Sequence, residues 1–262
     1  MRIGILGFGN MGEALAAGLR ERQPDCELAV YEKVEAQSRL AAERYGAKVC
    51  ATLAEIAAAS EILIVAVKPQ NTDELLAGLK SVSRGARVIS IVAGKRIAYF
   101  QERLGTDQVV RFMPNLAARE GKAAVGVSCA TTVQADFRSQ ALQIAESVGI
   151  AVEVGEELLA AITGISGSGL AYAFAFVHAM ALGGVQAGLS YPTALAVSLE
   201  VAEGAVALLK KSGEHPIGLL SKVTSPGGTT IAGVRALEEG GFTATVMDAV
   251  VRASQRAREL ES

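Results

Sequence analysis

The sequence has few of the residues that mark secreted, metal-binding or nucleic-acid-binding proteins. It contains three cysteines, Cys26, Cys50 and Cys129, and no two of them have metal-ligand spacing. A small, odd number of cysteines is typical of a reducing compartment with buried or incidental thiols. Acidic and basic residues nearly balance, with a formal net charge of −2, so there is no electrostatic footprint for nucleic acid or an anionic membrane. We expect neither a metal ion nor a nucleic-acid partner.

Signals for export, disorder and repetition are also lacking. The apolar run near residue 1 is short and leads directly into a glycine motif, which is not the pattern of a secretory signal. We therefore expect a cytoplasmic protein. Half of the 262 residues are hydrophobic and a fifth are charged, which favours a sizeable core and excludes a disordered chain. The length allows one large domain or two smaller ones.

The first motif present is a glycine-rich turn between a predicted buried strand at 2–6 and a helical pattern. The turn reads G-x-G-x-x-G and consists of Gly7, Phe8, Gly9, Asn10, Met11 and Gly12. In such a turn the first glycine allows the tight bend, the second admits a pyrophosphate, and the third lets the helix pack against the strand. The motif predicts a dinucleotide cofactor bound by these six residues.

An acidic residue follows at the distance this motif requires. Glu32 ends a predicted strand at 28–31 and lies 20 residues after Gly12, where a carboxylate would hold a ribose 2′-hydroxyl. A carboxylate there repels a 2′-phosphate and favours NADH mildly. Lys33 could bind that phosphate instead, so NADPH stays open. Glu32 is also compatible with a solvated strand end.

A buried strand predicted at 61–67 supplies further candidates for the cofactor site. It ends in Ala66 and Val67 and is followed by Lys68 and Pro69. Ligands of open α/β sheets bind beyond the carboxyl ends of the strands. Lys68 would therefore reach the ribose or phosphates, with Pro69 stiffening the turn, although Lys68 could also be an ordinary surface lysine.

Two later strand ends are candidates for the same site. The strand predicted at 87–93 ends at Ala93, whose small side chain leaves room for a nicotinamide ring. The strand predicted at 108–112 leads to Asn115, which could hydrogen-bond substrate or cofactor or could simply form a turn.

Strand–helix alternation continues with predicted strands at 123–129 and 151–154 and a helix at 132–148 between them. Repeated units of this kind predict a Rossmann-type, doubly wound, mostly parallel α/β sheet. The pattern beyond it is helical throughout. We predict a dinucleotide-binding domain at 1–156 and an all-helical domain for substrate binding and dimerisation at 157–262.

A long helix predicted at 170–189 carries no formally charged side chain and is long enough to span a bilayer. We reject a membrane span because His178, Gln186 and a glycine pair lie inside it and no Lys/Arg cluster flanks it. An apolar helix in a soluble protein is buried, either in a monomeric core or against a second subunit. We favour the second subunit, and we interpret His178 as a satisfied core or interface residue.

The second motif lies late in the chain and consists of Ser225, Pro226, Gly227, Gly228, Thr229 and Thr230. Ser225 is suited to cap a helix, with Pro226 in its first turn. The glycines let a ligand approach the backbone, and the threonines add hydroxyls beside free N–H groups. A helix start of this composition favours an anion such as a carboxylate. A plain Pro-Gly-Gly turn is the alternative.

Together these segments resemble the pyrroline-5-carboxylate reductase family, and the resemblance covers the whole chain. Matching segments are found at 7–12, 66–69, 111–115, 164–169, 213–216 and 223–231. The first is shared by many dehydrogenases, whereas the last is specific to this family. The resemblance implies a Rossmann domain, an all-α domain that dimerises by interlocking helices, and further assembly into rings. It also implies the last step of proline synthesis, hydride transfer from NADPH or NADH to the C=N carbon of pyrroline-5-carboxylate.

The resemblance also assigns residues to the substrate. It implies that the helix start at 225–229 holds the substrate carboxylate, that Thr230 hydrogen-bonds the ring nitrogen as the catalytic residue, and that Glu214 helps to order the loop. An anion with a basic imine needs N–H donors at one end and a hydroxyl at the other. Hydride transfer needs no metal, because the cofactor carries the chemistry.

The chain departs from the family pattern at Leu116, Ala117, Ala118, Leu170, His178 and Ser221. These departures leave open a related reductase of another cyclic imine, and a non-catalytic NAD(P)-binding regulator. A β-hydroxyacid dehydrogenase would need a catalytic lysine within 170–189, and none is there. The intact segment 225–230 disfavours the regulator.

Overall fold

The computed structural model describes residues 1–82 and 85–261, in which strands and helices alternate up to residue 153 and helices follow. The strands are β1 Arg2–Leu6, β2 Glu27–Tyr31, β3 Lys48–Val49, β4 Ile62–Val65, β5 Arg87–Ser90, β6 Val109–Met113, β7 Ala123–Cys129 and β8 Gly149–Glu153. The helices are α1 Asn10–Arg22, α2 Glu35–Tyr45, α3 Leu53–Ala59, α4 Thr72–Lys80, α5 Ile97–Leu104, α6 Ala135–Glu146, α7 Leu159–Ile162, α8 Gly169–Gln186, α9 Tyr191–Ser212, α10 Pro216–Val223, α11 Thr229–Glu239 and α12 Phe242–Glu259.

Local sequence explains where the helices begin and end. The side chain of Thr52 caps α3 by accepting a hydrogen bond from the N–H of Glu55. Gly46 ends α2 in the left-handed conformation that glycine adopts without strain. In α1, Glu13 lies in the first turn and Arg22 in the last, where their charges oppose the helix dipole.

The strands form one eight-stranded sheet in the order β3-β2-β1-β4-β5-β6-β7-β8. Neighbouring strands are parallel except β6 and β7, which run antiparallel and pair Phe112 with Val127. The order reverses between β1 and β4, and ligands of doubly wound sheets bind beside such a switch point. The predicted mostly parallel, doubly wound sheet is confirmed.

Each face of the sheet carries its own apolar core. One face packs side chains such as Leu15, Phe112 and Phe137. The other face packs side chains such as Leu76 and Phe100. All five are fully or almost fully buried, and burial of each such side chain contributes about 1.5–3 kcal/mol. Coverage on both faces explains why the strands are continuous runs of Val, Ile and Leu.

The cysteines are free thiols, as predicted. Cys26 and Cys50 are buried, and burial raises the pKa of both thiols. Burial, followed by the nearby carboxylate of Glu153, raises the pKa of Cys129 to about 11. All three are therefore protonated and unreactive at neutral pH.

Internal contacts divide the chain into two compact units. The first contains Met1–Gly167 together with the end of α12 from Arg252 onward, and the second is Ser168–Val251. The predicted domain boundary at 156/157 stays a prediction.

The second unit leaves its most apolar helices poorly covered. Within α8 only Ala181 is buried, and within α9 only Ala194 and Ser198 are. Two helical stretches of the described chain, Glu156–Gln186 and Tyr191–Ser212, are long and apolar enough to cross a membrane by length and composition only, criteria that a core helix of a soluble protein also meets. The second unit therefore leaves apolar surface on α8 and α9 that it does not itself cover, in line with our expectation of a second subunit at α8.

Candidate functional site

The glycine turn between β1 and α1 has three glycines in three different environments. Gly7 has φ +96°, and its N–H donates to the carbonyl oxygen of Tyr31 at 2.9 Å. A Cβ on Gly12 would overlap the carbonyl oxygen of Gly7, so helix and turn are in close contact there. A Cβ on Gly9 would meet nothing within 4 Å. The turn is therefore tight at Gly7, packed at Gly12 and open at Gly9, as a pyrophosphate cradle requires.

A cavity of about 470 Å³ lies beside this turn, at the carboxyl ends of β1, β2 and β4. Seven of the predicted cofactor residues line it: Gly7, Gly9, Glu32, Lys33, Ala66, Val67 and Lys68. The volume and the position at the sheet's switch point suit part of a dinucleotide.

Glu32 is held at the edge of this cavity by backbone groups. One carboxylate oxygen accepts from the N–H of Phe8 at 2.7 Å, and the other accepts from the N–H of Val34 at 2.9 Å. The carboxylate therefore joins the end of β2 to the glycine turn. Its orientation is fixed before any ligand arrives.

Lys33, the neighbouring cation, is paired across the same cavity. Its Nζ lies 2.8 Å from Oε1 of Glu74 on α4, and both side chains are largely exposed. Their hydrogen bond raises the pKa of Lys33 and lowers the pKa of Glu74, so the pair is intact at neutral pH. Sequence reasoning did not find Glu74, because no pattern connects two residues 41 positions apart.

Three other residues of the glycine motif do not line the cavity and make contacts elsewhere. The ring of Phe8 is fully buried and makes an edge contact with Tyr45, so only its backbone faces the turn. Asn10 begins α1, and its Oδ1 accepts from Arg119 at 2.6 Å. Met11 packs against the core. The contacts of these three residues support the turn without lining the cavity.

Pro69, Ala93 and Asn115 lie outside the cavity as well. Pro69 begins a short 3-10 turn after β4, and Ala93 lies in the loop after β5. The amide nitrogen of Asn115 donates to the carbonyl and hydroxyl oxygens of Ser166, at 3.1 and 3.0 Å. Asn115 therefore fixes the segment around Ser166, a contact that no sequence pattern indicated.

In the second unit, the predicted carboxylate-binding motif begins a helix, but later than the sequence suggested. Helix α11 starts at Thr229 with Gly228 as its cap residue, so the prediction that Ser225 caps it is wrong. Gly227 has φ +67°, and a right-handed helix cannot begin before a left-handed residue. The N–H of Gly228 instead donates to the carbonyl of Ser225 at 3.0 Å, which closes a turn. Thr229 and Thr230 are exposed in the first helical turn.

Two other predicted residues of the second unit are engaged in local contacts. Both carboxylate oxygens of Glu214 accept from Nζ of Lys222, at 2.7 and 2.6 Å, so Glu214 ties down the end of α10. His178 shares a hydrogen bond of 3.0 Å with the hydroxyl of Tyr191. His178 is therefore satisfied within its own unit, as expected.

Comparison with known proteins assigns both halves of the chain. The family model for pyrroline-5-carboxylate reductase dimerisation matches residues 156–260, and the model for NADP oxidoreductase, coenzyme F420-dependent, matches residues 2–94. The chain is 38% identical over 261 residues to the pyrroline-5-carboxylate reductase of Aquifex aeolicus, covering 99% of this chain and 97% of that protein.

Solved structures agree with these matches. A pyrroline-5-carboxylate reductase from Coxiella burnetii has a TM-score of 0.94 at 28% identity and covers 99% of this chain and 98% of its own. The pyrroline carboxylate reductase of Plasmodium falciparum, solved with NADP bound, has a TM-score of 0.86 at 28% identity and covers 100% and 98%. These matches support a nicotinamide cofactor and a helical part that forms homo-oligomers, and they show that the chain belongs to the pyrroline-5-carboxylate reductase family.

Proposed function

We propose that this enzyme reduces 1-pyrroline-5-carboxylate to L-proline, the last step of proline biosynthesis. The observation that carries the proposal is full-length identity of 38% to a reductase of that name, combined with an open glycine turn and a preformed cavity beside it. The reaction adds a hydride to the C=N carbon and leaves the nitrogen with one additional proton. The nicotinamide cofactor, when bound, supplies the hydride.

The first unit would orient the cofactor. The open backbone at Gly9 and the N-terminus of α1 would bind the pyrophosphate. The fixed carboxylate of Glu32 would accept from a ribose hydroxyl, and Lys68 would contact the ribose or a phosphate. Ala93 would leave room for the nicotinamide ring.

The second unit would bind the substrate. The first N–H groups of α11 have no partner within the helix, so the N–H of Thr229 would bind the substrate carboxylate. Gly228, whose own N–H is donated to Ser225, would let the carboxylate approach the backbone closely. The hydroxyl of Thr230 would hydrogen-bond the ring nitrogen and orient the imine for hydride addition. Ser225 and Gly227 would complete the turn around the carboxylate.

Glu214 would act on this turn indirectly. Its bidentate contact with Lys222 ties the segment before α10 to the end of α10, directly ahead of Ser225. The ion pair would therefore keep the carboxylate-binding turn in place without touching the substrate.

Cofactor preference follows from the charges at the cavity. We propose that NADH is mildly preferred, because Glu32 is fixed by two backbone N–H groups and Glu74 engages Lys33, the cation next to Glu32 in the chain. A 2′-phosphate would face two carboxylates, and Lys33 would have to leave Glu74 to bind it. We further propose that the enzyme works in the cytoplasm as a homodimer or a larger ring of dimers.

The test is substitution of Thr230. With Thr230→Ala we expect kcat to fall about tenfold to a hundredfold, since a hydrogen bond to a charged group contributes about 1.5–3 kcal/mol. Thr230→Ser, which keeps the hydroxyl, should retain most of the activity. Cofactor affinity, measured by fluorescence titration, should not change in either variant.

An unchanged kcat in Thr230→Ala would remove Thr230 from the mechanism. The substrate assignment has its own check, a steady-state assay of both cofactors with a panel of cyclic imines. Faster turnover of an imine other than 1-pyrroline-5-carboxylate would identify a related reductase instead.

A further inference from the structure

Arg111 on β6 is a buried charge with two acidic partners. Its side chain is fully buried, with Nη1 3.2 Å from Glu156 and Nη2 2.5 Å from Glu261. A buried ion pair is weak evidence for stability, because well-packed apolar side chains stabilise a core equally well or better. The arrangement therefore needs an explanation in terms of what it holds in place.

The two acidic partners of Arg111 belong to segments that contact the loop after β5 or the residue that follows it. The carboxylate oxygen of Glu156 that meets Arg111 also accepts from the N–H of Ile97 at 2.7 Å. On the other side, a Cβ at Gly94 would lie 2.8 Å from the carbonyl oxygen of Leu260, the residue before Glu261. The segments that Arg111 holds thus contact the loop at Gly94 and the residue directly after the loop, Ile97.

Backbone geometry makes this loop sensitive to its neighbours. Gly94 has φ +72°, a left-handed conformation that only glycine adopts without strain. Close contact with Leu260 leaves no space for another residue type. A shift of Leu260 would therefore act directly on the loop at Gly94.

We propose that Arg111 is a positioning residue that sets the loop at 91–96 against the nicotinamide ring. The inference rests on the proposed function, in which Ala93 of this loop faces that ring. Arg111 acts through Glu156 on Ile97, directly after the loop, and through Glu261 and the adjoining Leu260 on Gly94 within it. It touches neither substrate nor cofactor, and the adenosine end of the cavity, at Glu32 and Lys33, does not depend on it.

The test compares the binding of two ligands, one without the nicotinamide ring and one with it. Glu261→Gln and Glu156→Gln each keep the side-chain shape but remove one charge from Arg111. In the second variant the new amide oxygen could still accept from the N–H of Ile97. We expect calorimetry to show ADP-ribose affinity within about twofold of the parent protein in both variants. Affinity for NAD⁺, which carries the nicotinamide ring, should fall about threefold to tenfold.

Activity gives a second readout that a purely stabilising role would not change. With 4-deuterated NADH, the deuterium isotope effect on kcat should rise in both variants, because a displaced ring makes hydride transfer more rate-limiting. Glu259→Gln, a Glu→Gln change two residues earlier on the exposed surface of α12, should leave both ligand affinities and the isotope effect unchanged.

Equal loss of NAD⁺ and ADP-ribose affinity, or a lower melting temperature with an unchanged affinity ratio, would overturn the proposal. Failure of the proposed function gives a different result. The parent protein would then not reduce 1-pyrroline-5-carboxylate, while the difference between the two ligands would persist in the variants.

Discussion

At the scale of single residues, three charges beside the cavity carry the proposed cofactor preference. Glu32 is fixed by hydrogen bonds to Phe8 and Val34, and Lys33 is held by Glu74. A lysine already paired with a carboxylate attracts a phosphate less than a free one does. The proposed preference for NADH over NADPH therefore depends on the balance of charge around Lys33.

We predict that Glu32→Ser and Glu74→Gln each raise the ratio of kcat/KM for NADPH to that for NADH. The expected shift is about threefold to tenfold per variant, because interactions between exposed charges are weak and screened by salt. Initial rates with both cofactors at low ionic strength measure it. Glu35→Gln removes a similarly exposed carboxylate paired with Arg39 and should leave the ratio unchanged. A ratio that does not move in Glu32→Ser would exclude Glu32 as the selector.

Sequence reasoning succeeds at this scale where spacing along the chain carries the information. Glu32 follows the glycine motif at a fixed distance, so the sequence alone indicates its place at the cavity. Glu74 and Glu261 meet their partners only after folding, across 41 and 150 residues. Arg111 within a strand carries no local sign that it is fully buried. Such contacts depend on tertiary packing and leave no periodic signal.

At the scale of elements, the glycine turn allows a matched comparison. We predict that Gly12→Ala lowers the free energy of unfolding by about 1–3 kcal/mol, because the added methyl group overlaps the carbonyl oxygen of Gly7. Gly9→Ala should leave stability nearly unchanged, since its methyl group meets no protein atom within 4 Å. It should nevertheless lower cofactor affinity more than about tenfold by occupying the pyrophosphate's place. Urea unfolding and cofactor titration on both variants provide the measurements.

The opposite pattern, a destabilised Gly9→Ala with normal cofactor affinity, would show that the pyrophosphate binds elsewhere.

Most elements of this sheet could be predicted, because apolar runs bounded by glycine and polar residues mark buried strands. The sequence patterns do not predict the helices α4 and α5. The start of α11 was misplaced at Ser225 because capping chemistry there fits a helix, and only the left-handed backbone at Gly227 shows that the helix begins later.

At the scale of the whole molecule, the exposed apolar side chains of α8 and α9 require a partner. Phe174 is 65% exposed, and Val197 and Leu199 are each more than half exposed. The family model that matches this part of the chain is one for dimerisation. A second copy of the chain therefore accounts for the two long apolar helices without a membrane.

We predict that Phe174→Asp weakens the homo-oligomer, since a carboxylate would have to be desolvated at an apolar contact. Analytical ultracentrifugation should show a smaller species at micromolar concentration. Val82→Asp, which changes an exposed valine of the first unit, should leave the assembly intact. An unchanged sedimentation coefficient in Phe174→Asp would place the interface on another face.

Because α8 and α9 are poorly buried within one chain, the concentration of this protein affects its lifetime in the cell. A newly synthesised copy exposes these two apolar helices to solvent until it associates with another copy. Mass action then favours the assembled form as concentration rises. At a low expression level, a larger fraction of the chains would be monomeric. Monomers with exposed apolar helices are better substrates for chaperones and proteases. The expression level would therefore affect the lifetime of each molecule.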